Sequence, residues 1–226
     1  MTYIDLRVLI MRFLVRFKLS ILLALILLSS FVIISIVVKL EKLDKFDQWL
    51  LSNIHKNHSS FLTKVMKFLD FIGSTYFIIG VSLLLLFYLY FMMKDRLMSV
   101  LFIVTMLGER LLGEGLKPLL RRSRPNGQHL IEVDGHSFPS QHAMNTFVLY
   151  GFLLFILWRH VKNKKMKVLL TLIVITIILV MGLSRIYLGV HHPSDVIGGY
   201  LISGFWLTMV ILYARYYEEK NKLRDS

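Results

Sequence analysis

Apolar residues in this chain fall in long blocks separated by short basic runs, and two blocks, residues 19–38 and 73–93, contain no charge at all. Either block, wound as a helix, covers the roughly 30 Å hydrocarbon core of a bilayer. Four further blocks, residues 97–116, 143–158, 168–183 and 196–213, are apolar but interrupted or shorter. The pattern predicts an all-α, polytopic membrane protein, one domain over residues 1–226 with six transmembrane helices. Between the first two blocks, apolar positions recur at Leu43, Phe46, Leu50 and Ile54, then at Leu62, Val65, Met66, Leu69 and Ile72, with charges between. This helical spacing predicts an amphipathic helix or helix pair lying in the headgroup layer, with Trp49 in the aromatic belt.

Composition supports the membrane reading, because 56% hydrophobic residues is too many for an ordinary soluble domain of 226 residues. The net charge of +13 flanks the apolar blocks, so anionic membrane lipid is the expected partner and nucleic acid is not. Without cysteine, neither disulfides nor thiolate metal sites contribute. Arg7, Arg12, Arg16 and Lys18 precede the first block, which is long and lacks a small-residue cleavage site. A retained first helix fits better than a signal peptide.

Six crossings put the N-terminal arm and the basic runs at 94–96, 159–167 and 215–224 on one side, which the positive-inside rule makes cytoplasmic. Both termini then lie inside, in the plasma membrane. Segments 39–72, 121–138 and 185–192 lie opposite. There Arg121, Arg122 and Arg124, just after Lys117, form a positive cluster where basic residues are normally sparse. Function is the first reason to consider.

At a rise of about 1.5 Å per residue, the third helix climbs from Leu97 to Lys117 at the outer boundary, and the fifth climbs from Lys167 to Ser184 and Arg185. The fourth starts outside at Pro139, Ser140 and His142, and the sixth starts just after His191, His192 and Asp195. Four helix ends therefore meet at one level. Fixed cations there can neutralise phosphate oxygens, assisted by backbone N–H groups and a hydroxyl at the start of the fourth helix. A neutral histidine can attack phosphorus while a protonated one supplies the leaving oxygen, and a carboxylate one turn away can orient the first. No metal or other cofactor is required.

Lys117 followed by six residues and Arg124-Pro125, then Pro139-Ser140-Gln141-His142, then Ser184-Arg185, five residues, His191, three residues and Asp195, together resemble the type 2 phosphatidic acid phosphatase (PAP2) family. The resemblance implies a metal-independent lipid phosphatase acting at the outer face through a phosphohistidine. Its substrate would be a lipid phosphate monoester or diphosphate of the undecaprenyl diphosphate or phosphatidylglycerophosphate class. By the same resemblance, Lys117, Arg124, Ser140 and Arg185 would bind phosphate, His142 would be the general acid, His191 the nucleophile and Asp195 its partner. Kinship of this pocket with vanadium haloperoxidases implies that vanadate binds in it.

Gln141 departs from the pattern, standing where the family usually has glycine. If that position needs a positive φ, a side chain costs roughly 1–2 kcal/mol. If it needs close phosphate approach, the side chain crowds the site; alternatively its amide donates a hydrogen bond. Glu109, Arg110 and Glu114 lie inside an apolar block, where charges are paired or functional. They read equally as an ion pair holding the third helix or, with Gln141, as groups that orient Lys117.

Arg121 and Arg122 read as anchors at the membrane surface. His129, His136, His160 and His192 receive no role. Gly198, Gly199, Ser203 and Gly204 allow close helix packing. Residues 126–137 form either a headgroup-selecting loop or a solvated connector. Two rival functions remain at this point: a catalytically weak or silent lipid-phosphate-binding relative, favoured by Gln141, and an anionic-lipid transporter, which would not need His191 and Asp195 at this spacing.

Overall fold

Each apolar block winds into a helix, and several helices begin where a polar side chain satisfies free backbone N–H groups. The computed structural model describes residues 6–127 and 129–224, with side chains from 17 to 221 except residue 128. Arg7, Arg12 and Arg16 of the basic arm, and Lys222 and Arg224 of the basic tail, have side chains outside the described residues. The helices are α1 (Leu6–Lys39), α2 (Asp44–His55), α3 (Ser60–Ile72), α4 (Thr75–Phe87), α5 (Arg96–Leu120), α6 (Gln141–His160), α7 (Lys164–Tyr187) and α8 (Pro193–Arg224), with one π-helical segment, Tyr88–Met92, extending α4. No strand occurs among the described residues.

Ser59 caps α3 by accepting from Leu62 N at 3.2 Å, Asp95 caps α5 through Met98 N at 3.0 Å, and Asn163 caps α7 through Lys165 N at 2.9 Å. α5 stops at Arg121, which takes the left-handed conformation with φ 47° and returns its amide to Lys117 O at 2.9 Å. The expected segment between the first two blocks is a helix pair, α2 and α3.

Among the described residues, five helical stretches are long and apolar enough to cross a bilayer: Phe17–Lys39, Thr75–Met92, Gln141–His160, Lys164–Tyr187 and Pro193–Asn221. α5, expected as a sixth crossing, has the length but carries Glu109, Arg110, Glu114 and Lys117 in its second half. Those charges separate it from the other five. Large apolar side chains such as Leu19, Leu25, Ile33, Leu83, Leu84, Leu172 and Leu179 point outward on α1, α4 and α7. An outward apolar surface of this kind is suited to lipid.

α6 and α8 stand at the centre: α8 packs on α1, α5 and α6, while α6 also contacts α4, α5 and α7. Phe102, Leu149, Phe152 and Leu207 form the largest buried cluster between them. α2 and α3 cover the end of α7 and the start of α8, with Leu51 packed on Ala143, Ile186 and Val196, and Met66 on Tyr187, Leu188 and Val190. Their other face presents Phe46, Trp49, Phe61, Phe68 and Phe71 outward. The cover places two more helices against the turn between α7 and α8.

Candidate active site

The turn from α7 to α8 folds back on itself, because the amides of Val190 and His191 both return to Arg185 O, at 3.2 and 3.3 Å. Ser140 N donates to Asp195 O at 3.1 Å, which joins the start of α6 to the first turn of α8. Arg185, His191, Asp195 and Ser140 are thereby brought together by backbone alone.

His191 is buried, with Nδ1 3.4 Å from Asp195 Oδ2 and Nε2 3.4 Å from Arg124 Nη1. With a proton on Nδ1 beside the carboxylate, Nε2 keeps its lone pair, which faces the Arg124 guanidinium. Burial pushes His191 down to about 4; Asp195 pulls the other way, and Arg185 and Arg124 add to the lowering. The ring is therefore neutral near pH 7. Arg124 is held by three loop carbonyls, donating from Nη2 to Asp134 O at 2.7 Å, from Nη1 to Val190 O at 2.8 Å and from Nε to Gly135 O at 3.2 Å. Its guanidinium is fixed beside His191 Nε2.

Ser140 is fully buried, and its hydroxyl oxygen has no hydrogen-bond partner among the described residues, although it stands at the N-cap of α6. A buried hydroxyl not used in capping can serve a ligand. His142 and Arg185 converge on Asp70 of α3: His142 Nε2 lies 2.9 Å from Asp70 O and 3.3 Å from Asp70 Oδ1, and Arg185 Nη1 pairs with the same carboxylate. Lys117 stands apart. Its Nζ is 3.2 Å from Glu114, which also pairs with Arg110 at 3.2 Å, so the three form an ion-pair chain along α5.

Gln141 takes neither of the strained roles its position suggested. Among the described non-glycine residues only Glu41, Lys94 and Arg121 have positive φ, and Gln141 is the first residue of α6. Its amide donates to Glu109 Oε1 of α5 at 2.6 Å and to Asn145 Oδ1, one turn along α6, at 3.2 Å. It fills space that a Cβ on Gly113 would otherwise contest. Glu109 is fully buried, so Gln141→Gly should remove its donor and cost about 1–3 kcal/mol. A lowered melting temperature in detergent, without higher turnover, is the expected result; a faster enzyme of equal stability would contradict it.

Arg122 corrects the sequence reading most sharply. It is no surface anchor: Nη1 donates to Asp195 Oδ1 at 2.7 Å and to Ser194 Oγ at 2.6 Å, and Nη2 donates to Asp47 Oδ2 at 2.7 Å. Asp47, fully buried on α2, also accepts from Ser194 N at 3.0 Å and Ser194 Oγ at 2.6 Å, capping the start of α8 from another helix. His192 contributes its amide, which donates to Asp195 Oδ2 at 2.8 Å. Burial alone would lower Arg122, but Asp195 and Asp47 outweigh it and raise its pKa. The carboxylate beside His191 is thus locked from its other side.

The PAP2 superfamily model matches residues 75–219, which is more than half of the chain. Phosphatidylglycerophosphatase B of Bacillus subtilis is 32% identical over 145 residues, 62% of this chain and 68% of that protein. Undecaprenyl-diphosphatase of Sulfolobus acidocaldarius is 32% identical over 194 residues, 82% of this chain and 87% of the relative. In three dimensions, the PAP2 type phosphatidylglycerolphosphate phosphatase from Bacillus subtilis superposes with a TM-score of 0.80 at 25% identity, covering 85% of this chain and 96% of that one. The chain belongs to the PAP2 superfamily, as a membrane-embedded helical relative of its lipid phosphatases.

Proposed function

We propose that the protein hydrolyses a lipid phosphate monoester or diphosphate at the outer membrane face, without a metal, through a phosphohistidine on His191. The carrying observation is the position of His191, with Asp195 at Nδ1 and the Arg124 guanidinium at Nε2. Nε2 attacks phosphorus and the bond to the leaving oxygen breaks. His142 gives that oxygen a proton, releasing a lipid alcohol, or a lipid monophosphate if the substrate is a diphosphate. Water then attacks the phosphohistidine, returns a proton to His142, and frees inorganic phosphate and His191.

Arg124, Arg185 and the Ser140 hydroxyl bind the phosphate oxygens, while Lys117, oriented by Glu114, neutralises charge from α5. Asp195 stabilises the imidazolium character that His191 gains in attack. A cavity of about 510 Å³, lined in part by Arg124, Arg121, His192 and His55, gives water and released phosphate a path beside α2. In this reading α5 is the sixth crossing, both termini are cytoplasmic, and the exposed aromatics of α2 and α3 rest in the headgroup layer.

Relatives named for phosphatidylglycerophosphate and undecaprenyl diphosphate support those two substrate classes. Phosphate release by the purified chain, measured over a panel of lipid monophosphates, lipid diphosphates and a soluble ester with EDTA present, tests the assignment. Release from lipid substrates in EDTA is expected. No release from any lipid, or reversible loss with EDTA, would overturn it.

The pH profile follows from His191. A histidine pushed down to about 4 stays neutral through pH 5 and gains its proton only near the lower value. The acid limb of kcat/KM should therefore fall near pH 4; a limb centred on the ordinary histidine value of about 6.5 would contradict the buried, neutral nucleophile.

A further inference from the structure

Asp70 belongs to none of the spaced motifs, yet it is the residue on which two of their members meet. It lies one turn before Gly73, at the α3–α4 corner, and its carboxylate pairs with Arg185 and lies 3.3 Å from His142 Nε2. The same nitrogen is 2.9 Å from Asp70's own carbonyl oxygen. A Cβ on Gly73 would collide with the His142 ring, so the imidazole is pressed directly against this corner.

A carbonyl oxygen only accepts hydrogen bonds, and an ionised carboxylate does the same. Nε2 of His142 therefore carries a proton, and Nδ1 is the nitrogen left to face substrate. The arrangement repeats the His191–Asp195 pair with a different balance of charge. Asp195 is held by Arg122 and the His192 amide, which substrate does not displace. Asp70 instead shares its charge between His142 and Arg185, one of the proposed phosphate ligands. Phosphate arriving at Arg185 competes for the guanidinium and leaves more of the Asp70 charge acting on His142.

We propose that Asp70 is the positioning carboxylate of the general acid. Its backbone carbonyl accepts the His142 Nε2 proton, while its carboxylate stabilises the imidazolium whose Nδ1 proton goes to the leaving oxygen and yields Arg185 to the substrate's phosphate. The charged groups facing His142 in this arrangement are Asp70 from α3 and, through it, Arg185 from α7. The inference rests on the phosphatase reading above.

The test compares two synthetic lipid phosphates on the full-length protein, one with an alkyl leaving group that needs a proton and one with a nitrophenyl leaving group that does not. Asp70→Asn should lower turnover of the alkyl ester by roughly 10²–10⁴-fold, the usual range for loss of general-acid assistance, while the nitrophenyl ester falls far less. Asp70→Glu should restore part of the alkyl activity. Orthovanadate should inhibit Asp70→Asn at least as tightly as the wild type, because no carboxylate then competes for Arg185. The ratio of the two turnovers does not depend on how much of the variant folds.

An unchanged ratio in Asp70→Asn, with the wild type active on both esters, overturns this inference alone. Weakened vanadate inhibition with equal losses on both esters also overturns it, by assigning Asp70 a purely structural part. A wild-type chain that releases phosphate from neither ester overturns the phosphatase reading and this inference with it.

Discussion

His191→Ala is expected to abolish phosphate release, with turnover falling by on the order of 10³-fold or more, as when a covalent nucleophile is removed. The loss should appear in kcat, since Arg124, Arg185 and Ser140 still offer their contacts to the phosphate. His191 is buried, so the truncation also opens a space in the protein, and a melting curve in detergent should accompany the assay. Vanadate binding provides a second control for the remaining cations. A variant that folds, binds vanadate and turns over at the wild-type rate would remove His191 from the mechanism.

Arg122→Ala should produce the largest loss of stability. Its guanidinium answers two fully buried carboxylates, Asp47 and Asp195, each at 2.7 Å, with Asp44 at 3.4 Å on the exposed side. Removing one member of a buried ion pair typically costs about 3–5 kcal/mol, because the remaining charge has lost its compensation. Both Asp47 and Asp195 keep other hydrogen bonds, from Ser194 and from the His192 amide, which holds the expected cost within that range. Arg122→Lys should recover only part of the loss, since one ammonium cannot reproduce the fork that spans Asp195 and Asp47. Chemical denaturation of both variants measures this; an Arg122→Ala protein within about 1 kcal/mol of wild type would contradict the assigned lock.

The apolar blocks revealed the helices because a membrane segment must satisfy its backbone internally, which ties length and composition to one structure. They revealed less about α5, where Glu109, Arg110, Glu114 and Lys117 interrupt the apolar pattern and face different neighbours: Glu109 meets Gln141, and Glu114 meets Arg110 and Lys117. The spacing from Arg185 to Asp195 was readable because one turn and the start of one helix hold these residues. Arg122 was not, since its partner Asp47 lies 75 positions away and on a helix outside the motifs.

A local signal for the missed acids does exist. Asp47 falls four residues after Leu43 and four before Leu51, and Asp70 falls four after Met66, so each carboxylate interrupts the buried stripe of its helix. An acid on a stripe that packs inward must find a cation there. Arg122 and Arg185 are those cations. Gln141 carried the opposite lesson: its departure from the family pattern left strain, crowding or a donated hydrogen bond as alternatives, and the structure has the last, made to Glu109 of α5 from a helical backbone.

A phosphohistidine can be trapped by rapid acid-free quenching of the purified enzyme during turnover of a lipid labelled on its terminal phosphate. During turnover the label is expected on the peptide containing His191, bound through a linkage stable to alkali and lost in acid, and absent from His191→Ala. Steady phosphate release with no label on that peptide, or with the label on His142, would contradict it.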